Sequence, residues 1–267
     1  MYRALKYTNL VFFILMIAIN SLANSLPIGY GKTGEISKKY PNLFTPAPIT
    51  FAIWGVIYLM LAIFILYQFD FFNRNDYANV FVELVGPWFI ISCILNIGWI
   101  FSWHYDKIGL SMLFMVGLLF SLIVINLRIS PSSIMQATNT KSIALLARLC
   151  MHAFDIYLGW IVAATIANLS VLLVEMRWDR FGLPEEILTI IVLIIGAILG
   201  MLFILTSQKY FGALAIIWAY CGILIKHISQ SGYGGKYPAI ITTTAVGIFL
   251  IFAAAPIRIL MNMNMDR

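Results

Sequence analysis

Ile187-Leu-Thr-Ile-Ile-Val-Leu-Ile-Ile-Gly-Ala-Ile-Leu-Gly-Met-Leu-Phe-Ile-Leu205 carries one hydroxyl group and no charge. Nothing in this run alternates. Strands of a membrane barrel alternate apolar and polar residues over about ten positions, whereas a helix needs about twenty consecutive apolar residues to cross the hydrocarbon layer. The run has the second form. Seven further stretches share its character, so eight segments can be drawn, at about 7–28, 48–69, 81–103, 108–129, 145–175, 185–206, 209–227 and 238–261. The composition agrees: of 267 residues, 62% are hydrophobic and only 10% charged, against about 25% charged in soluble domains. That excess cannot be hidden in one core, because a soluble fold still needs a polar surface. A soluble enzyme, a disordered chain and a disulfide scaffold are excluded. The sequence predicts an all-α, polytopic helix bundle in a lipid bilayer.

The loops are short, with two exceptions. Residues 29–47 carry Gly, Lys and Pro and read as an ordered external loop, and Ser130–Ser142 reads as a mobile connection. The charges and the Gly-Leu-Pro break near Trp178–Pro184 mark the best internal boundary, dividing residues 1–178 from 179–267. The first segment has two readings. Arg3 and Lys6 before a short apolar core, followed by Ser21-Leu22-Ala23, resemble a cleaved signal peptide; the apolar character continuing through Leu26 favours a retained helix. With eight spans both termini share a side, which collects nine of the 17 Lys and Arg residues, so the positive-inside rule sets no orientation. The net charge of +6 is scattered singly between apolar runs, which gives loop ends and headgroup contacts rather than a nucleic-acid surface. Cys93, Cys150 and Cys221 all lie inside apolar runs and form no Cys-x-x-Cys pair, so they read as small hydrophobes.

Polar groups in membrane helices turn inward, towards one another, a ligand or water. Shared faces at about 100° per residue therefore indicate where an interior site would lie. The first segment aligns Asn9, Phe13, Asn20 and Asn24. The second aligns Phe51, Trp54 and Tyr58 behind Pro46 and Pro48. The third aligns Trp88, Ser92, Asn96, Trp99 and Trp103. The fifth presents Tyr157, Trp160, Ala164 and Asn168 on one face, and Arg148, His152, Asp155, Gly159 and Ala163 on the other. Two readings stand for each. Trp near helix ends anchors at the interface, and Asn joins helices by hydrogen bonds; alternatively, Trp with Tyr or Asn on three helices walls an aromatic pocket with a few polar donors. Arg148, His152 and Asp155 likewise form either a proton-linked cluster or a self-satisfying ion pair near the surface.

Gly159, Ala163 and Ala167, and Gly196 with Gly200, repeat every four residues and let helices approach closely; the second pair also suits dimerisation. Lys226 closes its helix and reads as a snorkelling lysine. Nucleotide-binding, metallohydrolase and serine-hydrolase motifs are missing. No catalytic residue and no metal ligand is assigned, and no cofactor is required.

Three motifs in register carry a resemblance. Pro48, Phe51, Trp54 and Tyr58 are followed by Asn96-x-x-Trp99, then by Tyr157-x-x-Trp160 with Asn168 eight residues on. In order and spacing this resembles the TspO/MBR family, the tryptophan-rich sensory proteins related to the mitochondrial translocator protein. The motifs cover about residues 7–178, the family's five-helix bundle, and leave the last three helices as an extension. The resemblance implies an intramembrane cavity for porphyrins, sterols and synthetic aromatic ligands, and frequent homodimers. Carried across, the ligand-binding candidates are Phe51, Trp54, Tyr58, Asn96, Trp99, Tyr157, Trp160 and Asn168. The chain departs from the family at Pro41-Asn-Leu-Phe-Thr-Pro-Ala-Pro48, which lacks Trp, and in having no Tyr between Asn168 and Arg177.

The expected function is a receptor or carrier in the cell membrane for a flat hydrophobic molecule such as a porphyrin, haem-like or sterol ligand, with Asn96 and Asn168 orienting it. The alternative is a proton- or ion-coupled transporter using Arg148, His152 and Asp155. Breakdown of bound porphyrin ranks third, because no acid, base or metal constellation is visible.

Overall fold

A computed structural model describes residues 2–26, 28–31, 33–69, 77–138, 145–207 and 209–265. Lys32, Arg74, Lys141 and Arg267 from the charge comparison lie outside these, as do positions 139–142 of the Ser130–Ser142 stretch. Among the described residues there are helices and no strands: α1 (Tyr2–Ser25), α2 (Thr33–Lys39), α3 (Ile53–Tyr67) behind a 3-10 turn at Pro48–Ala52, α4 (Tyr77–Val85), α5 (Trp88–His104), α6 (Ile108–Arg128), α7 (Pro131–Thr138), α8 (Leu145–Glu175), α9 (Glu185–Leu205), α10 (Tyr210–Ile228) and α11 (Pro238–Met265). Seven of these are long and apolar enough to cross a membrane, and α4 with α5 makes an eighth span if the bent pair is counted as one. The outer surface is apolar as well. Leu59, Leu113, Leu127 and Phe249 are each at least 67% exposed, a surface suited to acyl chains rather than water.

The third apolar run is continuous in sequence but broken in space. Its two halves meet at 53°. Pro87 has no N–H to donate, and its ring excludes the carbonyl four residues earlier; Gly86 before it takes φ +56°, which glycine adopts without strain. Part of Ser130–Ser142 also differs from the expected connection. Ser130 Oγ accepts from the Ser133 N–H at 3.2 Å and Pro131 follows it, a start signal that winds α7.

Within the bundle α5 packs on α1 and α6, α8 lies between α6, α3 and α10, and α9 and α11 pair beside α10. At one end of the bundle Phe64 meets Phe154, Phe89 and Phe81 with ring centroids 5.1, 5.2 and 5.8 Å apart, the offset and edge-on arrangement that aromatic quadrupoles prefer. The small-residue stripes sit at the closest approaches. A methyl group at Gly159 would strike the backbone of Gly212, so α8 and α10 touch there. Gly196 and Gly200 face Tyr220 and Ile251. That pair is therefore occupied inside the chain, against α10 and α11. Ala215 and Ala219 of α10 pack into the core formed by the first spans, while Leu43 and Phe44 from the loop before α3 pack into the core of the last three helices.

Candidate ligand-binding site

Trp54 lies at the centre of the aromatic group. Pro46 and Pro48 bring the chain into the 3-10 turn, and the first turns of α3 then set Phe51, Trp54 and Tyr58 towards α5 and α8. The Trp54 ring stacks on Tyr58 at 5.5 Å and lies tilted to Trp99 at 6.0 Å. Tyr157 and Trp160 meet it edge-on at 5.9 and 6.2 Å. Phe51 meets Trp160 at 6.0 Å, and Trp99 stacks on Trp103 at 6.1 Å. The six aromatic candidates thus form one contact group. Trp88, on the same predicted stripe as Trp99, does not join it; its ring packs edge-on against Phe120 of α6 at 5.7 Å.

The two amide candidates are buried and paired within the protein. Asn20 Nδ2 donates to Asn96 Oδ1 at 2.7 Å, and Asn96 Nδ2 donates to the Tyr157 hydroxyl at 3.2 Å, which ties α1 to α5 to α8. Trp99 Nε1 donates to Asn168 Oδ1 at 3.0 Å, and Asn168 Nδ2 donates to Ser111 Oγ at 3.1 Å. Asn96 and Asn168 therefore hold the rings of Tyr157 and Trp99 in place. Above them Trp103 Nε1 donates to the Thr33 carbonyl at 3.1 Å, and the Thr33 hydroxyl lies 3.0 Å from His104 Nε2. Two groups stand apart from this pairing: the Tyr58 hydroxyl and Trp160 Nε1 are buried, and no hydrogen-bond partner for either is found among the described residues.

Two spaces adjoin the rings. A cavity of about 40 Å³ is bounded by Trp103, Trp160 and Asn168, and closed by Ala219 and Ile223 of α10. A cleft of about 320 Å³ is lined by Asn20, Asn24 and Tyr58. Thr33, Phe51, Trp54 and Trp99 belong to both, so these four side chains are the partition between them. Thr33, Ala219 and Ile223 carry no residue-type signal for binding, and the sequence reading did not select them. Ala163 and Ala167, which also line the smaller cavity, were visible only as a packing stripe.

The loop before α3 is held over the cavity by α10. Lys226 Nζ donates to the Thr45 carbonyl at 2.8 Å, and His227 Nε2 lies 2.9 Å from the Leu43 carbonyl. Trp218 Nε1 donates to the Thr50 carbonyl at 2.7 Å, and the Ala47 N–H to the Gly222 carbonyl at 3.0 Å. A Cβ at Gly222 would overlap the Thr50 side chain. Lys226 is thus turned to this loop rather than free at the interface.

The charged candidates form a different arrangement from the expected one. Asp155, 5% exposed, pairs with Lys209 Nζ at 2.9 Å. Lys209 also donates to Asn126 Oδ1 at 2.8 Å, and His152 Nδ1 lies 3.5 Å from the second carboxylate oxygen. The His152 ring stacks on Phe211 at 4.3 Å. Arg148 is exposed, and among the described residues no ion pair joins it to Asp155. Asn126 is in the last turn of α6 and Lys209 just precedes α10, so the pair lies at a membrane edge, at the end of the bundle away from the loop before α3. It joins three helices, as an interhelical clasp does.

The architecture is therefore that of a multi-pass, all-α integral membrane protein with an aromatic, amide-braced interior. The chain belongs to the family described as TSPO-like protein, which it matches over residues 6–257. That match runs through α9 and α10 and most of α11, well past the limit near residue 178 that the three motifs reach. No curated protein and no solved structure matches the chain.

Proposed function

We propose that this protein is a membrane receptor or carrier, at the cell membrane, that holds a flat hydrophobic ligand of tetrapyrrole or sterol type among Phe51, Trp54, Tyr58, Trp99, Tyr157 and Trp160. The observation that supports this most is the pair of orphaned polar atoms. An indole N–H is a donor only, and leaving a buried donor unpaired costs about 1–3 kcal/mol. Beside the paired amides of Asn96 and Asn168 and the paired indoles of Trp99 and Trp103, Trp160 Nε1 and the Tyr58 hydroxyl are suited to a carbonyl, hydroxyl or carboxylate on a ligand. The rings supply stacking surface, and Asn96 and Asn168 act one step back by fixing the rings.

Size refines the reading. Ligand sites commonly hold about 300–1,000 Å³. The smaller cavity, at about 40 Å³, is far below that range, and the cleft, at about 320 Å³, reaches its lower end. Entry of a tetrapyrrole or sterol requires Trp54 and Phe51 to turn and join the two spaces. The test is quenching of tryptophan fluorescence by a porphyrin, and by a fluorescent sterol, with Trp160→Phe and Tyr58→Phe. Each variant removes one polar atom and keeps a ring. About tenfold weaker binding is expected for a lost hydrogen bond of about 1.4 kcal/mol, with helicity unchanged. Full affinity in both variants would refute the assignment.

A further inference from the structure

A third space opens outside the aromatic site. A vestibule of about 390 Å³ lies between α2, the loop before α3 and the turn that follows α10. Ser37, Thr45, Pro46 and Phe51 line both this vestibule and the small cavity, so Phe51 stands between them. The vestibule is cationic. Lys38 and Lys226 line it, together with Ser229, Ser231 and Tyr233, and among the described residues its wall has no acidic side chain.

Neither lysine has a carboxylate partner in an ion pair among the described residues. Lys38 is exposed on α2. Lys226 is half-buried; its Nζ donates to the carbonyls of Thr45 at 2.8 Å and Asn42 at 3.4 Å, and lies 5.4 Å from the centre of the Tyr233 ring. Carbonyl dipoles and a π face favour the ammonium but put no carboxylate in contact with it. Glu185, on the neighbouring α9, favours the ammonium through space but makes no ion pair with it; its carboxylate accepts from the Leu43 N–H at 2.8 Å and lies 3.6 Å from Arg180. A partly desolvated cation beside an aromatic cavity attracts an anion attached to an apolar body.

We propose that the vestibule is the subsite for an acidic group on the cavity's ligand, which is then an amphipathic molecule with a flat apolar body and at least one carboxylate. This rests on the ligand-binding reading above. The body lies past Phe51 among the indoles, and the carboxylate reaches back to Lys226 and Lys38. Serine hydroxyls at positions 37, 229 and 231 line the same space and supply further donors.

The experiment compares protoporphyrin IX, a dicarboxylic acid, with its dimethyl ester. Both are titrated against the full chain in phosphatidylcholine nanodiscs, with tryptophan quenching as the readout. The acid is expected to bind about tenfold more tightly, as one charge-assisted hydrogen bond supplies. Lys38→Gln, on an exposed position, lowers affinity for the acid several-fold and leaves the ester unchanged. Lys226→Gln lowers it further, and Lys226→Arg restores the preference. Equal affinity for acid and ester, or equal losses of both in Lys38→Gln, would overturn the subsite and leave the ligand-binding reading standing. Quenching by neither probe would remove both. If phosphatidylglycerol in the nanodisc abolishes the preference for the acid, the vestibule is a lipid-phosphate site and the proposal fails.

Discussion

Replacing Lys209 by Met isolates what Asp155 is for. The two charged atoms are 2.9 Å apart, and the side chains are 18% and 7% exposed. With an effective dielectric constant of about 20, Coulomb's law gives about 6 kcal/mol of attraction at that distance. Desolvation of both groups offsets much of it. Removing only the lysine leaves the desolvation of Asp155 in place, which costs about 3–5 kcal/mol for a buried pair. His152 Nδ1, at 3.5 Å, is a weak substitute and brings the expected loss towards the lower figure. Asn126 also loses its donor. The assay is unfolding in a mixed micelle, followed by helicity, for Lys209→Met, Asp155→Asn and the double variant. The single lysine variant should lose about 3 kcal/mol and the double variant should recover most of it, because no unpaired charge remains. A Lys209→Met protein as stable as the parent would refute the clasp. The carboxylate would then be reached by water, and a proton-linked role for Asp155 would regain its footing.

Other perturbations test the bracing, the closure of the loop and the contact between helices. A double-mutant cycle on Asn20→Ala and Asn96→Ala should give a coupling of about 0.6 kcal/mol, the average for interhelical hydrogen bonds in membranes, and a coupling of zero would show that their 2.7 Å contact does not form. Asp106 has a pH signature. Burial raises its carboxyl, but hydrogen bonds from Lys39 and Tyr40 outweigh this and hold it below the usual carboxylate range. The latch from α2 to the α5–α6 turn is thus fully present above the ordinary carboxylate value and is released as pH falls through the depressed one. Protease cleavage near α2 should rise below about pH 4, and Asp106→Asn should remove that pH dependence; cleavage that does not change with pH would count against the latch. Gly159→Val should cost at least the 1–3 kcal/mol typical of overpacking, because the new side chain meets the Gly212 backbone, and a near-neutral result would mean that α8 and α10 are further apart.

The spans were legible because their signal is local and long. A stretch such as 187–205 needs no partner to be recognised as a membrane helix. The aromatic candidates were legible for a related reason: Trp and Tyr spaced along a face report that face wherever the helix is straight. Spacing gives direction but not depth. Trp88 opens α5 eleven positions before Trp99, about 16 Å away along the axis, and packs against Phe120 on α6 instead of the aromatic group. Lys209 was hidden for a different reason. Its carboxylate partner is 54 positions earlier, whereas Arg148 and His152 are within two turns of Asp155 and are the partners that spacing alone selects. Ala219 and Ile223 had no chemical signature, since an alanine that closes a cavity and one that fills a core look alike in sequence.

The last three helices help to bound the cavity, through backbone that the loop before α3 cannot satisfy by itself. That loop contains three prolines, at 41, 46 and 48, and so lacks three donors. Its carbonyls at Asn42, Leu43, Thr45 and Thr50 have their partners on α10 and in the turn beyond it: Tyr233 and Lys226, His227, Lys226 again, and Trp218. Without those partners the carbonyls would have to find water, and the loop would not hold Phe44, Thr45 and Pro46 against the cavity they line. The loop has no Trp of its own, and Trp218 of α10 fixes its end instead. It follows that tightness of the cavity and integrity of α10 are one property. A substitution at Gly222, on which Thr50 is seated, acts on the cavity through the loop, although Gly222 itself is not among the residues that line it.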